Sequence, residues 1–305
     1  AAVLEKTVKS GGKPIVDIMT GRHEPYALVM RALLQTKEIF GDFRKSDEPM
    51  LEKNTVHHLY KNVNGVPLVR PAWYFDVNKQ GCGLCDVTTH LLDNAQWMLY
   101  NDQPIDFEKD VKVLDATLST TDVPADKFEI ITQAEAFPAE LADRVENNVL
   151  KVACNGVLDV EYKGVTMRFG AVWNLEAPPG GGDMHEQIAR GTISDLFVEH
   201  GPKTGFKPQV LVKPHSMSAE AMKAIIEKRM QELNYSDAKV TIEADGRLLV
   251  TPPSCMVEGH EFHFAIVRDE FLNMLATGRE PAGLRSQLIA KYKVMAIARD
   301  MALNK

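Results

Sequence analysis

NVLKVACNGVLDVEYKGVTMRFGAVWNL, residues 148–175, decides the class of fold. Within it Asn148 to Val152, Val157 to Tyr162 and Thr166 to Leu175 read as successive strands. Their alternation of polar with apolar side chains is that of a sheet with one face wet. Working outward, Val111 to Leu118 and Glu129 to Gln133 precede this block as further strands, and Gly191 to Val198 and Gln209 to Lys213 follow it. Asp237 to Thr251 predicts a hairpin turning at Asp245-Gly246. Asn54 to Asn62 and Leu68 to Val77 are rich in Val, Tyr, Trp and Phe, with Gly65 and Pro67 between them, and read as two more strands joined by a turn.

Helices take up most of the remainder. Leu28, Val29, Leu33, Leu34 and Ile39 repeat near the helical period from Glu24 to about Phe40, where Gly41 stops them. Val87 to Tyr100, Ser218 to Leu233, His260 to Thr277 and Leu284 to Ala302 are likewise helical. Eight or more strands, with helices at the beginning, middle and end, predict an α+β fold: one broad, largely antiparallel sheet with helices on one face. Residues 21–305 form that domain. Residues 1–20 differ, being a short helix ended by Gly11-Gly12 and an apolar run, Pro14 to Met19, of strand length. This is half of a βαβ unit and reads as the last piece of a parallel sheet.

Composition removes several functions. With 305 residues, 45% of them hydrophobic, the chain has ample material for a core. A net charge of -7 with both signs interspersed leaves no footprint for nucleic acid or an anionic membrane surface. No apolar run is long enough to span a bilayer, so a cytoplasmic location is the default, with any signal upstream of Ala1 left open. Four cysteines, Cys82, Cys85, Cys154 and Cys255, are too few and scattered for a disulfide framework. The Cys82/Cys85 C-x-x-C has no second pair to complete a zinc site, and reads first as small residues beside a glycine turn.

The densest constellation of chemistry is Gly81-Cys-Gly-Leu-Cys-Asp86-Val-Thr-Thr-His90-Leu-Leu-Asp93, running on to Trp97. Asp86 stands where a helix begins and His90 lies four residues on, on the same helical face. A carboxylate beside an imidazole is a means of proton transfer, with His90 as the base. A capping Asp and a hydrogen-bonded helical His explain the same letters. Arg22, His23 and Glu24 follow a strand end, where α/β proteins place ligand groups, though a helix-start salt bridge fits equally. Trp173, Asn174, Asp183 and His185 flank Gly180-Gly181-Gly182 and suit a sugar ring, or equally a buried Trp and a polar turn. His57-His58 and Tyr60 lie on a strand, so at most one of the two histidines faces any site. His260-Glu-Phe-His263 falls one residue short of the zinc spacing and reads as solvated helix-start histidines.

Gly-x-Gly-hydrophobic-x-Asp-x-x-x-His-hydrophobic-x-Asp followed by Trp97 resembles the hallmark of the Gfo/Idh/MocA family of glucose-fructose oxidoreductase and inositol 2-dehydrogenase. The resemblance extends to residues 14–41, to 165–196 with Trp173-Asn174 and the glycine loop, and to His260–Pro281. It implies that residues 1–20 are the remnant of a Rossmann dinucleotide-binding domain. It implies also that Asp86 and His90 are catalytic, binding a sugar hydroxyl and taking its proton as hydride leaves for NAD or NADP. Arg22, His23, Trp173, Asn174, Asp183 and His185 are the candidate substrate-binding residues, and no metal is implied. The family's Gly-x-Gly-x-x-Gly and Glu-Lys-Pro are absent from the sequence; cofactor-binding residues are then expected upstream of Ala1, or, in a second register at Asp17-Ile18-Met19, the lysine is lost.

The leading expectation is therefore the substrate domain of an NAD(P)-dependent sugar or polyol dehydrogenase, inactive and without bound cofactor as an isolated chain. Its partner is a carbohydrate-like small molecule, and it is expected to form a homo-oligomer through the open sheet face. The alternatives are a carbohydrate-binding or scaffold module lacking the redox half, and a metal-dependent hydrolase or isomerase using His57, His90, His185 and a carboxylate.

Overall fold

A computed structural model of the chain describes residues 2–63, 65–100, 103–235, 237–256 and 260–305, without the side chains of Val3, Cys255 and His260. The fourth cysteine and the first histidine of His260-Glu-Phe-His263 thus lie outside the described residues.

Helix α1 (Ala2–Lys9) leads into an irregular segment, followed by α2 (Pro25–Leu34) and a single turn, α3 (Lys37–Phe40). Strand β1 (Leu51–Tyr60) and a small ribbon, β2 (Asn62–Val63) with β3 (Val66–Pro67), precede α4 (Val87–Tyr100) and α5 (Phe107–Asp110). Then come β4 (Val111–Pro124), α6 (Ala125–Thr132), β5 (Val145–Glu146), β6 (Val149–Tyr162), β7 (Val165–Glu176), β8 (Met184–Arg190), β9 (Ser194–His200) and β10 (Gln209–Pro214). Helix α7 (Ala219–Glu232), the hairpin β11 (Lys239–Ile242) and β12 (Leu248–Thr251), α8 (His260–Thr277) and α9 (Leu284–Leu303) complete the chain.

Among the described residues ten strands form one sheet, ordered β11-β12-β10-β9-β8-β1-β7-β6-β4 with β5 beside β6. β1 and β7 pair in parallel, and the other ladders are antiparallel. One face carries a continuous apolar layer, including Leu51, Leu158, Phe169, Ala189, Leu196, Val210 and Val250, under α2, α4, α7 and α9. The other face stays open: Val172 and Val157 are each 39% exposed. The expected α+β fold, a broad and mostly antiparallel sheet with helices on one face, is the observed one.

Three expected strands differ. Pro14 to Met19 pairs with no strand among the described residues, and Ile18 is 61% exposed; a buried strand needs neighbours for its N–H and C=O groups, and none is beside it. Leu68 to Val77 holds a 3-10 turn, Ala72–Phe75, because Pro71 withholds a donor and the aromatic side chains part company: Phe75 is buried, Tyr74 lies under Arg70 and Trp73 is half exposed. Glu129 to Gln133 falls mostly in α6, where Phe128, Ile131 and Thr132 bury at helical spacing. The helix expected to run to Phe40 breaks at Gln35-Thr36, where the Gln35 amide donates to the Met98 carbonyl at 3.1 Å. Among the described residues, no helix is long and apolar enough to cross a membrane.

Candidate functional site

The entry to α4 is a tight turn locked to β6. A Cβ on Gly83 would stand 2.2 Å from the Asn155 carbonyl carbon, so only glycine lets the two backbones meet there. The Cys82 carbonyl accepts from the amides of Cys85 (2.8 Å) and Asp86 (3.0 Å), and the Thr88 hydroxyl donates to the Gly83 carbonyl at 2.7 Å. This turn holds Asp86 one residue ahead of the helix. Its carboxylate accepts from the Gln80 amide at 3.2 Å. Burial pushes the Asp86 carboxyl above its ordinary range, against the opposing pull of Gln80, His57 and Arg70.

His90 stands one turn further along α4. It is exposed and makes no hydrogen bond with any described residue, Asp86 included. Desolvation by the surrounding protein holds the imidazole below its ordinary pKa; Asp93 and Asp17 oppose that shift, while Lys291 and His57 add to it. The field of His57 thus reaches both Asp86 and His90.

His57, on β1, anchors a polar cluster. Its ring lies 4.9 Å from that of Trp173 at an interplanar angle of 31°. Nδ1 meets the Asp183 carboxylate at 2.8 Å and Nε2 meets the Thr55 hydroxyl at 3.1 Å. That hydroxyl donates its proton to the Met184 carbonyl at 2.9 Å, so toward the ring it accepts, and both ring nitrogens face acceptors. Asp183 also accepts from Lys61 at 2.5 Å and lies 3.5 Å from His58. Burial would raise its carboxyl, but His57 and Lys61 hold it well below the usual range. Arg70 lies over Trp173 (5.1 Å) and Tyr74 (4.4 Å) while donating to the carbonyls of Leu59 and His58.

A second cluster lies below His90. Asp93, three residues on, is clamped by Arg22 (2.7 and 2.8 Å) and accepts from Lys291 at 2.8 Å; Lys291 also binds Asp17. These groups, with His23 and Glu270, line a cavity of about 100 Å³. Burial lowers His23 and raises Glu270 relative to their ordinary values. Beside this cluster Lys53 is buried against Asn94, and desolvation, opposed by Asp93, brings its ammonium down to about 7.

The candidates therefore fall into groups. Asp86, His90, Trp173 and Asp183 gather around His57, and Arg22 and His23 border the smaller cavity. His185 is half-buried, with its ring 5.8 Å from Tyr26 and Nε2 enclosed without a hydrogen-bond partner among the described residues; desolvation, with Lys53, holds it well below its ordinary pKa. Asn174 is exposed, and strand alternation directs it away from Trp173, toward the open face. A larger groove, about 580 Å³, lies on that open face beside Glu52, Arg190, Glu199 and Arg247, and none of the eight candidates lines it. His263 is buried beside Glu24, unlike the solvated residue expected. Among the described residues no three His, Cys, Asp or Glu side chains are placed to hold a metal.

Sequence reasoning gave no role to Asp17, Lys53, Lys61, Arg70 or Lys291. Asp93 stood inside the quoted motif, three residues after His90, and that spacing was its signal. Lys291 is 198 positions away from its partner and had none.

Residues 29–303 match the family described as "Putative oxidoreductase C terminal domain". The chain belongs to this family. Its membership and fold place it among Gfo/Idh/MocA oxidoreductases, as the Asp86/His90 motif implied. A putative oxidoreductase from Parabacteroides merdae shares 36% identity over 94% of this chain and 67% of its own length, with a TM-score of 0.89. A putative oxidoreductase from Erwinia carotovora shares the fold at 14% identity and TM-score 0.56, over 99% of this chain and 68% of that one. So does a super-repressor mutant of Gal80p from Saccharomyces cerevisiae, at 10% identity and TM-score 0.52, over 99% and 66%. No curated protein matches the chain.

Proposed function

We propose that this oxidoreductase-family domain binds a sugar, polyol or related alcohol and removes the hydroxyl proton, with His90 as the base and Asp86 beside the substrate. The observation that carries the reading is the state of His90: an exposed imidazole, depressed toward its neutral form and without a hydrogen bond to any described residue, set within the field of His57 and Asp93. A base needs an unoccupied nitrogen and a pKa near or below the working pH. Asp86, raised by burial, suits a hydrogen bond to a neutral hydroxyl. Trp173 offers an apolar face for a ring, and Asp183 and Arg22 hold neighbouring groups in place.

A dinucleotide does not fit the residues present. The glycine run at 180–182 leads into β8 rather than a helix, so its amides form no phosphate cradle of the βαβ kind. NAD or NADP would accept hydride in the complete protein, held by residues outside this sequence; the chain alone would be inactive. Every group here serves the alcohol and its proton. We propose also that the domain is cytoplasmic and assembles through its open sheet face. In the complete enzyme, His90→Ala and Asp86→Asn should each lower kcat by ~10²–10⁴. Turnover within a few-fold of wild type for both would end the assignment.

A second reading, a carbohydrate-binding module, draws support from the same absence of a phosphate cradle. Calorimetry of the chain with sugars, without nicotinamide, favours it if binding is tight.

A further inference from the structure

The turn that carries Asp86 contains two thiols that the proposed reaction leaves unused. Cys82 and Cys85 are both free, with Sγ atoms 3.8 Å apart, and as thiols Cys82 donates a hydrogen bond to Cys85. No third ligand-type side chain is placed with them among the described residues. The turn itself brings the sulfurs together: Cys85 N–H bonds to the Cys82 carbonyl at 2.8 Å, and Gly83, pressed on Asn155, leaves its backbone no other course.

We infer that Cys82 and Cys85 form a redox-active dithiol, closed to an intramolecular disulfide by hydroperoxides and reopened by thiols. Cys82 is the attacking sulfur. Once deprotonated, Cys82 accepts from the Cys85 thiol, and this draws its pKa down to about 6, against burial and with help from the Leu84 amide and the Arg299 charge. Cys85 is raised by the same hydrogen bond and stays a thiol at neutral pH. This asymmetry is that of a nucleophilic and a resolving cysteine.

The steps balance. The Cys82 thiolate attacks one peroxide oxygen, the O–O bond breaks, and the departing hydroxide takes a proton to leave as water, giving a sulfenic acid. The Cys85 sulfur then displaces the sulfenic hydroxyl, which leaves as a second water with the Cys85 proton. Two electrons pass from the sulfur pair to one peroxide. Closure needs the sulfurs to move from 3.8 Å to about 2.05 Å. Cys82 is 5% exposed, so hydrogen peroxide is small enough to reach it where a bulky disulfide is not. The residue after Cys85 is Asp86, whose amide hangs on the Cys82 carbonyl. An effect on turnover would rest on the role of Asp86 proposed above; the thiol chemistry does not.

The test uses the chain itself, treated with a slight excess of hydrogen peroxide at neutral pH, alkylated, and mapped by mass spectrometry. The peptide spanning both residues should lose both labels, weigh two hydrogens less, and regain both labels after dithiothreitol, while Cys154, whose thiol burial pushes up, stays labelled. In Cys85→Ser, peroxide treatment followed by unfolding in dimedone should give an adduct at Cys82; in Cys82→Ser residue 85, whose thiol is held protonated, should not react. Full labelling of both sites after peroxide would overturn the inference. So would sulfinic acid without a crosslink in the unmutated chain, or Cys82→Ser reacting as fast as Cys85→Ser.

Discussion

Arg22 reaches Asp93 across 71 positions of sequence and holds it through two hydrogen bonds of 2.7 and 2.8 Å, tying the loop ahead of α2 to the middle of α4. Lys291 binds the same carboxylate from α9 and continues to Asp17. Three distant segments thus converge on one buried anion directly beneath His90. Removing that anion leaves Arg22 without its ion-pair partner and Lys291 with Asp17 alone, a loss on the order of 3 kcal/mol. Asp93→Ala should lower the urea midpoint accordingly, and a change within about 1 kcal/mol, the value of an exposed pair, would place the network outside the folded core.

The same carboxylate sets an acid limit. Burial would raise Asp93, but Lys291 and Arg22 hold it below the ordinary value, so the folded state binds its proton less readily than the unfolded chain. Its contribution is complete above the unfolded carboxylate range and is lost as pH falls through the folded value. Asp93→Asn should therefore flatten the acid limb of a stability profile between pH ~5 and the acid transition, with little change of slope above it.

Lys53 has the opposite signature. Its folded value, about 7, lies below the 10.5 of an ordinary lysine, so between these limits the unfolded chain carries the extra proton. Stability should rise with pH across that window by about 1.4 kcal/mol per unit while the difference persists. Lys53→Met fills similar volume without a charge, and should raise stability at pH 7 and abolish the rise between pH 7 and 10. Denaturation at several pH values tests this; parallel profiles for the two proteins would show that Lys53 is charged in both states.

The sequence alone was sufficient for what depends on local pattern. Alternation in residues 148–175 marked β6 and β7, and the period of Val87 to Tyr100 fixed α4 to the residue. It was insufficient where burial comes from afar. The aromatic stretch at Leu68 to Val77 is as β-rich as a strand, yet its side chains are taken up singly by Arg70, Trp173 and Phe128. Asp86 and His90 were legible because four residues put them on one helical face. The partners of His57 were not, since Asp183 and the Thr55 hydroxyl, which accepts toward the ring, become visible only when β1 lies beside β8.

His90 predicts a pH profile for the complete enzyme. Desolvation lowers its pKa, so alcohol oxidation should lose rate as pH falls through a value below 6.5, where the ring gains a proton and ceases to act as a base. His90→Gln should remove that limb as well as most of the rate. A limb that survives the substitution unchanged assigns the titration to another group.

The open sheet face supplies the last prediction. Val172 and Val157 are each 39% exposed on adjacent strands, and Leu114 is 41% exposed on the neighbouring edge strand. Beside this apolar strip the face is laced with charge pairs, Arg190 to Glu52 and Arg168 to Asp159, which order it without covering it. A flat surface of that kind gains most from a second copy of itself, because a two-fold axis repeats each apolar contact. Sedimentation of the chain should give a species larger than its 34.0 kDa mass, and Val172→Asp, which puts an unpaired charge at the centre of the strip, should return it to that mass. The same substitution lies on the face opposite His90 and should leave the fold and any sugar binding intact. A monomer before substitution would end the proposal that this face is where copies meet.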